Sequence, residues 1–148
     1  MSSNICRIEN LEEVKAYISK LRYALDSGAT LTFQIDRNVD KIRDERCTNR
    51  YTVAKLFPNE NPVEALKREL KQLTVENYIR TVKDVKFPKR GEMREFGKVY
   101  NNTDEVYIKF RVELLDAKNY GTHTTFVMSF HFAERPFLKD NFPYRKGE

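Results

Sequence analysis

The stretch DEVYIKFRVELLD, from Asp104 to Asp116, alternates strictly between two kinds of side chain. Its even-numbered positions carry only apolar residues, namely Val106, Ile108, Phe110, Val112 and Leu114. Its odd-numbered positions carry a phenol and charged groups, namely Tyr107, Lys109, Arg111 and Glu113. Because successive side chains of a β-strand point to opposite faces, this pattern predicts a strand with one face in a core and one chemically rich face.

A second alternating stretch, HTTFVMSFHFAE, follows after the turn-rich segment DAKNYGT. A symmetric hairpin centred near Asn119 pairs residues whose numbers add to about 238. This register predicts three apolar pairs, Ile108 with Phe130, Phe110 with Met128, and Val112 with Phe126. On the other face it predicts the pairs Tyr107 with His131, Lys109 with Ser129, and Arg111 with Val127. A slip of one residue would place apolar side chains opposite polar ones, so the pattern favours this register.

The N-terminal half has helical patterns. NLEEVKAYISKLRYALDSG begins with Asn10 and Glu13 in capping-box positions and ends at Gly28, which predicts a helix. NPVEALKRELKQL predicts another, with Pro62 in its first turn. TVENYIRTVKDV restarts a helical pattern at the N-cap residue Thr74, either as a separate helix or as a kinked continuation.

The remaining segments complete an α+β prediction. TLTFQID, from Thr30 to Asp36, alternates as a strand, and RNVDKIRDERCTNR is a charged connection. REFGKVY, EVYIKFRVELL and HTTFVMSFHFAE predict three successive antiparallel strands. We therefore expect N-terminal helices packed on a C-terminal antiparallel sheet, in a single domain over residues 1–136 with a loosely packed tail over 137–148.

Bulk properties exclude several classes of protein. The 148 residues suffice for one domain, and no apolar run approaches the length of a bilayer span. Cys6 and Cys47 lie far apart and form no CxxC motif, which favours a reduced, cytoplasmic chain without a disulfide framework. Together with His123 and His131 they fit no zinc-finger spacing, so we expect no metal and no cofactor.

The polar face of the hairpin carries the groups that a metal-free ribonuclease requires. Cleavage by the 2′-hydroxyl of RNA needs a base, an acid and cations around the phosphate. His131 titrates near neutral pH, Tyr107 can donate or position, and Arg80, Lys109 and Arg111 can neutralise a phosphate. Between Ile79 and Arg111 there are nine Lys or Arg against five Asp or Glu, so most of the net charge of +5 lies there.

Three segments also resemble a known family. LTVENYIRTV, FGKVYNNTDEVYIKFRVEL and VMSFHFAE, within Leu66 to Glu134, are similar to the C-terminal half of the motility quorum-sensing regulator (MqsR) toxins. These are ribonucleases with a RelE-like fold, within the wider barnase/EndoU/colicin/RelE group. The stretch from Thr32 to Pro62 has no counterpart in that family.

The resemblance implies a toxin endoribonuclease that cuts messenger RNA without metal and is held in check by a protein antitoxin. It implies a helix-borne cation at Arg80, a strand tyrosine at Tyr107 followed by Lys109, and a catalytic position at His131, where family members can carry lysine. Arg111, Lys98 and Ser129 are the substrate-binding candidates.

A solvated sheet face is the simpler interpretation of the same pattern, since antiparallel sheets commonly expose a polar face. A second functional class also fits, namely a basic binding protein or inhibitor that engages nucleic acid or an acidic protein partner without catalysis. The two functions differ at His131 and Tyr107, because binding depends on cations and cleavage depends on the imidazole.

Overall fold

The computed structural model describes residues 4–28, 30–37, 43–86, 91–113 and 124–146. Within these ranges the chain forms three α-helices and one mixed sheet of six strands, which confirms the α+β class. The helices are α1 (Leu11–Asp26), α2 (Asn49–Leu56) and α3 (Pro62–Leu70). The strands are β1 (Asn4–Arg7), β2 (Thr30–Phe33), β3 (Tyr78–Asp84), β4 (Met93–Tyr100), β5 (Asp104–Glu113) and β6 (Thr124–Phe132).

The sheet has the strand order β1-β3-β4-β5-β6-β2. The four strands β3 to β6 form an antiparallel meander, in agreement with the sequence pattern for its last three members. β1 adds antiparallel to β3 at one edge, whereas β2 adds parallel to β6 at the other. The helix α1 therefore connects opposite edges of the sheet and lies across its core face.

The core face is built from the even positions of β5. Val106, Ile108 and Phe110 are almost completely buried, and the Phe110 ring stacks on Phe96 of β4 with ring centroids 5.3 Å apart. All three helices contribute to this one cluster, for example through Leu21 of α1. Burying a large apolar side chain contributes about 1.5–3 kcal/mol, so this face accounts for much of the stability.

The predicted hairpin register is confirmed for part of its length. Tyr107 pairs with His131, Ile108 with Phe130, and Lys109 with Ser129. Beyond Lys109 a β-bulge shifts the register by one residue. The observed partners are Phe110 with Val127, Arg111 with Phe126, and Val112 with Thr125. The predictions for Phe110, Arg111 and Val112 are therefore wrong, because β6 carries an extra residue at Met128.

The first helix begins and ends as predicted. The Asn10 side chain accepts a hydrogen bond from the Glu13 backbone, and the Glu13 side chain accepts one from the Asn10 backbone. Gly28 has a φ of 84°, a left-handed conformation that glycine adopts without a steric penalty. Helix α3 likewise begins at Pro62 with Asn61 as its N-cap. Among the described residues, none of the helices combines the length and the apolar character that a membrane crossing requires.

The helix predicted at TVENYIRTVKDV is wrong. Residues Val75–Asn77 form one 3₁₀ turn after the predicted cap Thr74, and the chain then continues as the strand β3. Tyr78 is buried against Phe96, and its hydroxyl hydrogen-bonds to Thr81. Pairing with β1 on one side and β4 on the other overrides the local helical pattern.

Strand β2 ends at Phe33 rather than at Asp36, because side chains from α2 take over its hydrogen-bonding role. Beyond Phe33 the free edge of β6 is bound by Asn49, whose amide donates to the Met128 carbonyl at 2.9 Å and accepts from the Phe130 N–H at 2.9 Å. The Thr52 hydroxyl accepts from the Phe132 N–H at 2.9 Å. Backbone groups that would otherwise be unpaired at this edge are thus satisfied.

The C-terminal segment packs on the sheet and is not a loose tail over its described part. Phe142 is buried and contacts Phe137 edge to face, with ring centroids 5.4 Å apart. The Tyr144 hydroxyl donates to the Glu9 carbonyl, and the Tyr144 ring stacks on Tyr78. This segment therefore ties the end of the chain to the start of α1 and to β3.

We expect the substitution Asn49→Ala to lower the free energy of unfolding by about 3 kcal/mol, because it leaves buried backbone groups of β6 without partners. The Asn49 amide also donates to the Gln34 carbonyl at 2.7 Å, so three hydrogen bonds are lost together. Urea unfolding measures the change. Ser19→Ala removes an exposed polar group from α1 and should change stability by less than about 0.5 kcal/mol. Equal effects of the two substitutions would contradict the role of Asn49.

Gly97→Ala should displace the C-terminal segment. A Cβ at this position would lie 2.9 Å from the Phe137 ring, closer than carbon atoms approach. We expect a loss of about 1–3 kcal/mol in the free energy of unfolding. Adding Phe137→Ala removes the nearer of the two rings that crowd this position, the other being Phe142 at 3.0 Å, so the double variant should be destabilised by less than the sum of the single effects. Additive losses would show that Phe137 does not limit the space at Gly97.

Candidate functional site

The open face of the sheet, opposite the helices, carries a cleft of about 730 Å³. Five predicted site residues line it, namely Arg80, Tyr107, Lys109, Ser129 and His131. They come from the three strands β3, β5 and β6, and β4 adds Glu95. Strand alternation and the confirmed part of the register place these side chains on one face. We call this cavity, which these six residues line together with others, the cleft.

Glu95 is a buried carboxylate that joins two of the predicted residues. It is 4% exposed, accepts a hydrogen bond from Arg80 Nε at 2.6 Å through Oε1 and one from the Tyr107 hydroxyl at 2.6 Å through Oε2. Burial, together with the adjacent Glu95 charge, holds the pKa of Tyr107 well above its ordinary value. Tyr107 is therefore a neutral donor that Glu95 fixes in place, and it is a poor source of a transferable proton.

His131 lies beside Tyr107 with its side chain almost removed from solvent. The two ring centroids are 5.4 Å apart, and the residue is 4% exposed. Its Nδ1 atom lies 2.9 Å from the Phe132 carbonyl oxygen. A carbonyl only accepts, so Nδ1 carries the proton of the neutral ring and Nε2 carries the lone pair. Burial lowers the pKa of His131 below its ordinary value of 6.5, which keeps this lone pair available at neutral pH.

Lys109 stands opposite Ser129 and opposite Glu95 in the two ladders that β5 forms. Burial lowers the pKa of Lys109 from its ordinary value of 10.5, and the positive charges of Arg37 and Arg80 lower it further against the opposing effect of Glu95. A lysine with a lowered pKa is a better proton donor than an exposed one.

Arg80 lies on β3 and is not the helix-borne cation that the resemblance implies. Its hydrogen bond to Glu95 raises its pKa, so the guanidinium stays charged throughout the physiological range. About half of the side chain remains exposed, and its hydrogen bond to Glu95 uses only Nε. Arg80 can therefore hold Glu95 and still present N–H groups to an anion in the cleft.

Further charged residues from outside the predicted set complete the cleft. Arg37, Arg43 and Arg135 add three cations, and Glu134 adds one carboxylate. Arg43 Nη2 lies 3.2 Å from Glu134 Oε2, whereas the buried Nε and Nη1 of Arg43 have no hydrogen-bond partner among the described residues. Cations outnumber carboxylates among the lining residues, which favours a phosphate or another anion.

Two predicted substrate-binding residues lie elsewhere. Arg111 lines a second cavity on the same face, next to the cleft. Lys98 pairs with Val106 and therefore lies on the core face at the end of the sheet, where its Nζ is 3.3 Å from Gln72 Oε1. The structure does not bring Lys98 into the cleft, because strand alternation places it on the other side of β4 from Glu95.

A simple sequence signal would have identified Glu95. The turn NNTD joins β4 to β5, and pairing residues symmetrically around it places Glu95 opposite Lys109, as observed. Arg37, Arg43 and Arg135 carry no such signal, because they reach the cleft from segments outside the regular strands. Within the described ranges no group of three or more His, Cys, Asp and Glu side chains is arranged to hold a metal ion.

Comparisons of this chain with protein-family models, with curated proteins and with solved structures found no match.

His131 should titrate with a pKa below 6.5, because burial disfavours its charged form. The chain has only two histidines, so NMR of the imidazole C–H groups resolves both titrations, and His123→Gln assigns them. Since the unfolded state binds the proton more tightly, the contribution of His131 to stability is present above pH 6.5 and is lost as pH falls below it. A pKa at or above 6.5 would contradict the buried, neutral state of this ring.

Proposed function

We propose that this chain is an endoribonuclease that cleaves RNA through the 2′-hydroxyl of the nucleotide before the cut, with protein side chains supplying the proton transfers. One observation carries the proposal, namely the neutral His131 imidazole, fixed by the Phe132 carbonyl, in a cleft whose charged lining groups are mainly cations. A base next to clustered positive charge is the arrangement that attack on a phosphodiester needs.

Each cleft residue has a distinct role in this proposal. His131 Nε2 removes the proton of the 2′-hydroxyl, and the 2′ oxygen forms a bond to the adjacent phosphorus. The bond between phosphorus and the 5′ oxygen breaks, and the Lys109 ammonium donates a proton to the departing oxygen. The products are a 2′,3′-cyclic phosphate end and a 5′-hydroxyl end. Exchange with water then returns His131 and Lys109 to their starting protonation states.

The remaining groups stabilise charge and geometry. Arg80, with Arg37 and Arg43, neutralises the negative charge that builds up on the phosphate oxygens. Tyr107 and Glu95 act as positioning residues, because their hydrogen bond holds the ring against His131 and orients Arg80. Ser129 is 2% exposed and lies opposite Lys109, where it fills the floor of the cleft.

The biological role that we propose follows the resemblance to the MqsR toxins. In it the chain has a RelE-like arrangement, cuts messenger RNA and is neutralised by a protein antitoxin in the cytoplasm. The support is the motif VMSFHFAE, whose first six residues lie on β6, and the pair Tyr107 and Lys109 on β5, which contribute to one cleft. The free cysteines Cys6 and Cys47 are consistent with a reducing compartment.

A second candidate function is binding without catalysis. The burial of His131, only 4% exposed, favours it, because a catalytic base must reach the hydroxyl from which it takes the proton. A basic cleft would also hold the phosphate backbone of a nucleic acid or an acidic protein segment through charge alone. This function needs the arginines and Lys109, and it does not need the imidazole.

The decisive experiment is cleavage of a labelled RNA by the purified protein in EDTA. We expect the wild type to cut, His131→Gln to cut about 100-fold or more slowly, and a 2′-deoxy substrate to stay intact. Lys15→Gln removes an exposed cation of α1, on the other side of the sheet, and should leave the rate unchanged. Binding of RNA by His131→Gln, measured by fluorescence anisotropy, verifies that the variant is folded and active in binding.

The pH dependence provides a second test within the same assay. We expect a bell-shaped profile of kcat/KM whose acid limb lies below pH 6.5, because His131 must be neutral, and whose alkaline limb lies below pH 10.5, because Lys109 must be protonated. Lys109→Arg retains the charge but cannot release the proton, so it should lower the rate and remove the alkaline limb. RNA that is bound and never cut by the wild type would exclude the ribonuclease and favour the binding function.

A further inference from the structure

The second cavity lies beside the cleft on the open face and has a volume of about 490 Å³. It shares Arg37 and Lys109 with the cleft, so the two cavities adjoin at these residues, and we call the pair of cavities the groove. Its floor differs in chemistry, because the apolar side chains Met93, Phe126 and Met128 line it together with Arg111. The second cavity therefore offers an apolar and aromatic surface next to the basic cleft.

Arg111 is held in a fixed orientation in this second cavity. Its guanidinium carbon lies 4.6 Å from the centre of the Phe126 ring, and its Nε donates to Glu113 Oε1 at 2.8 Å. Its Nη1 lies 3.7 Å from Met93 Sδ, a weak contact. The side chain is 22% exposed, so it cannot move as freely as a surface arginine. Cation–π stacking and the ion pair together present a flat, preorganised guanidinium.

The β-bulge is what puts an aromatic ring in this position. Without it, Phe126 would lie opposite Val112 and would point toward the core. The extra residue in β6 places Phe126 opposite Arg111 on the open face instead. Phe126 and Met128 are both partly exposed there. Bulges commonly reorient side chains next to functional sites, and this one gives the groove an aromatic contact surface.

We propose that the second cavity is a nucleobase subsite, which holds a base of single-stranded RNA next to the phosphate that is cut. This inference rests on the proposed ribonuclease function. Lys109 and Arg111 are two residues apart on β5, about 7 Å along the strand, which matches one nucleotide step of an extended chain. Aromatic rings and arginine planes are the surfaces on which proteins stack unpaired bases.

Abasic substitution tests the subsite. The cut is first mapped on a short RNA, and one base at a time is then removed on either side of it while the sugar and phosphate stay. We expect removal of the base at one flanking position to lower kcat/KM of the wild type about 10-fold or more. The same removal should have little effect in Arg111→Lys or Phe126→Leu, because these variants have already lost the stacking surface.

The two variants keep charge and apolar volume, respectively, and their unfolding midpoints verify that they fold. Lys15→Gln should show the full wild-type response to base removal, as a control for a change of charge outside the groove. Base removal that lowers kcat/KM equally in the wild type and in the Arg111 and Phe126 variants, or in none of them, would contradict the subsite. The proposed ribonuclease function would be unaffected by that result.

If the wild type does not cut RNA, the proposed ribonuclease function is overturned. The subsite can then still be tested by binding. In that case anisotropy compares binding of an adenosine oligonucleotide with binding of the abasic oligomer of equal length. Tighter binding of the base-carrying oligomer by the wild type, with the difference lost in Arg111→Lys and Phe126→Leu, supports the subsite. Equal binding of the two oligomers, or no binding of either, overturns it.

Discussion

Strand β5 separates two environments, and both the core and the cleft depend on its alternation. One face buries Val106, Ile108 and Phe110 against the helices, and the other presents Tyr107 and Lys109 to the cleft. Its neighbour β4 is held in register by an unbroken antiparallel ladder, and β6 by an antiparallel ladder that a β-bulge interrupts after Lys109. The apolar pairs that stabilise the core therefore also fix which polar side chains meet on the opposite face. A change of register would destroy core and cleft together.

The buried carboxylate of Glu95 gives the cleft its electrostatic character. It is the partner of Arg80 and Tyr107, and its charge opposes the effects that lower the pKa of Lys109. A carboxylate in this environment must be paired, since an isolated buried charge is costly. Arg80 and Tyr107 donate hydrogen bonds to this carboxylate, and the cations Arg37 and Lys109 line the same cleft in addition. The cleft thus combines a fixed internal ion pair with an excess of positive charge.

Much of this architecture follows from local sequence patterns, and the exceptions have identifiable causes. The period of two in β5 and β6 correctly pairs Tyr107 with His131, because the register there is set by the pattern of apolar side chains. It fails beyond Lys109, where β6 carries an extra residue at Met128, whose carbonyl accepts a hydrogen bond from Asn49, a residue distant in sequence. The helix predicted around Tyr78 fails because pairing with β1 and β4 overrides local propensity. Tertiary contacts of this kind leave no local signal.

The protonation states in the cleft follow from the same crowding. Burial removes water that would stabilise the charged form of His131, and neighbouring arginines disfavour it further, so the ring stays neutral. Burial and the neighbouring arginines also lower the pKa of Lys109. The pKa values of His131 and Lys109, ordinarily 6.5 and 10.5, are therefore both lowered by the same environment. In the proposed reaction, a phosphate in the cleft would add negative charge, which would favour the protonated forms of both groups while a proton is transferred to the histidine. On this proposal, the negative charge of the substrate would compensate the positive surroundings that keep His131 neutral.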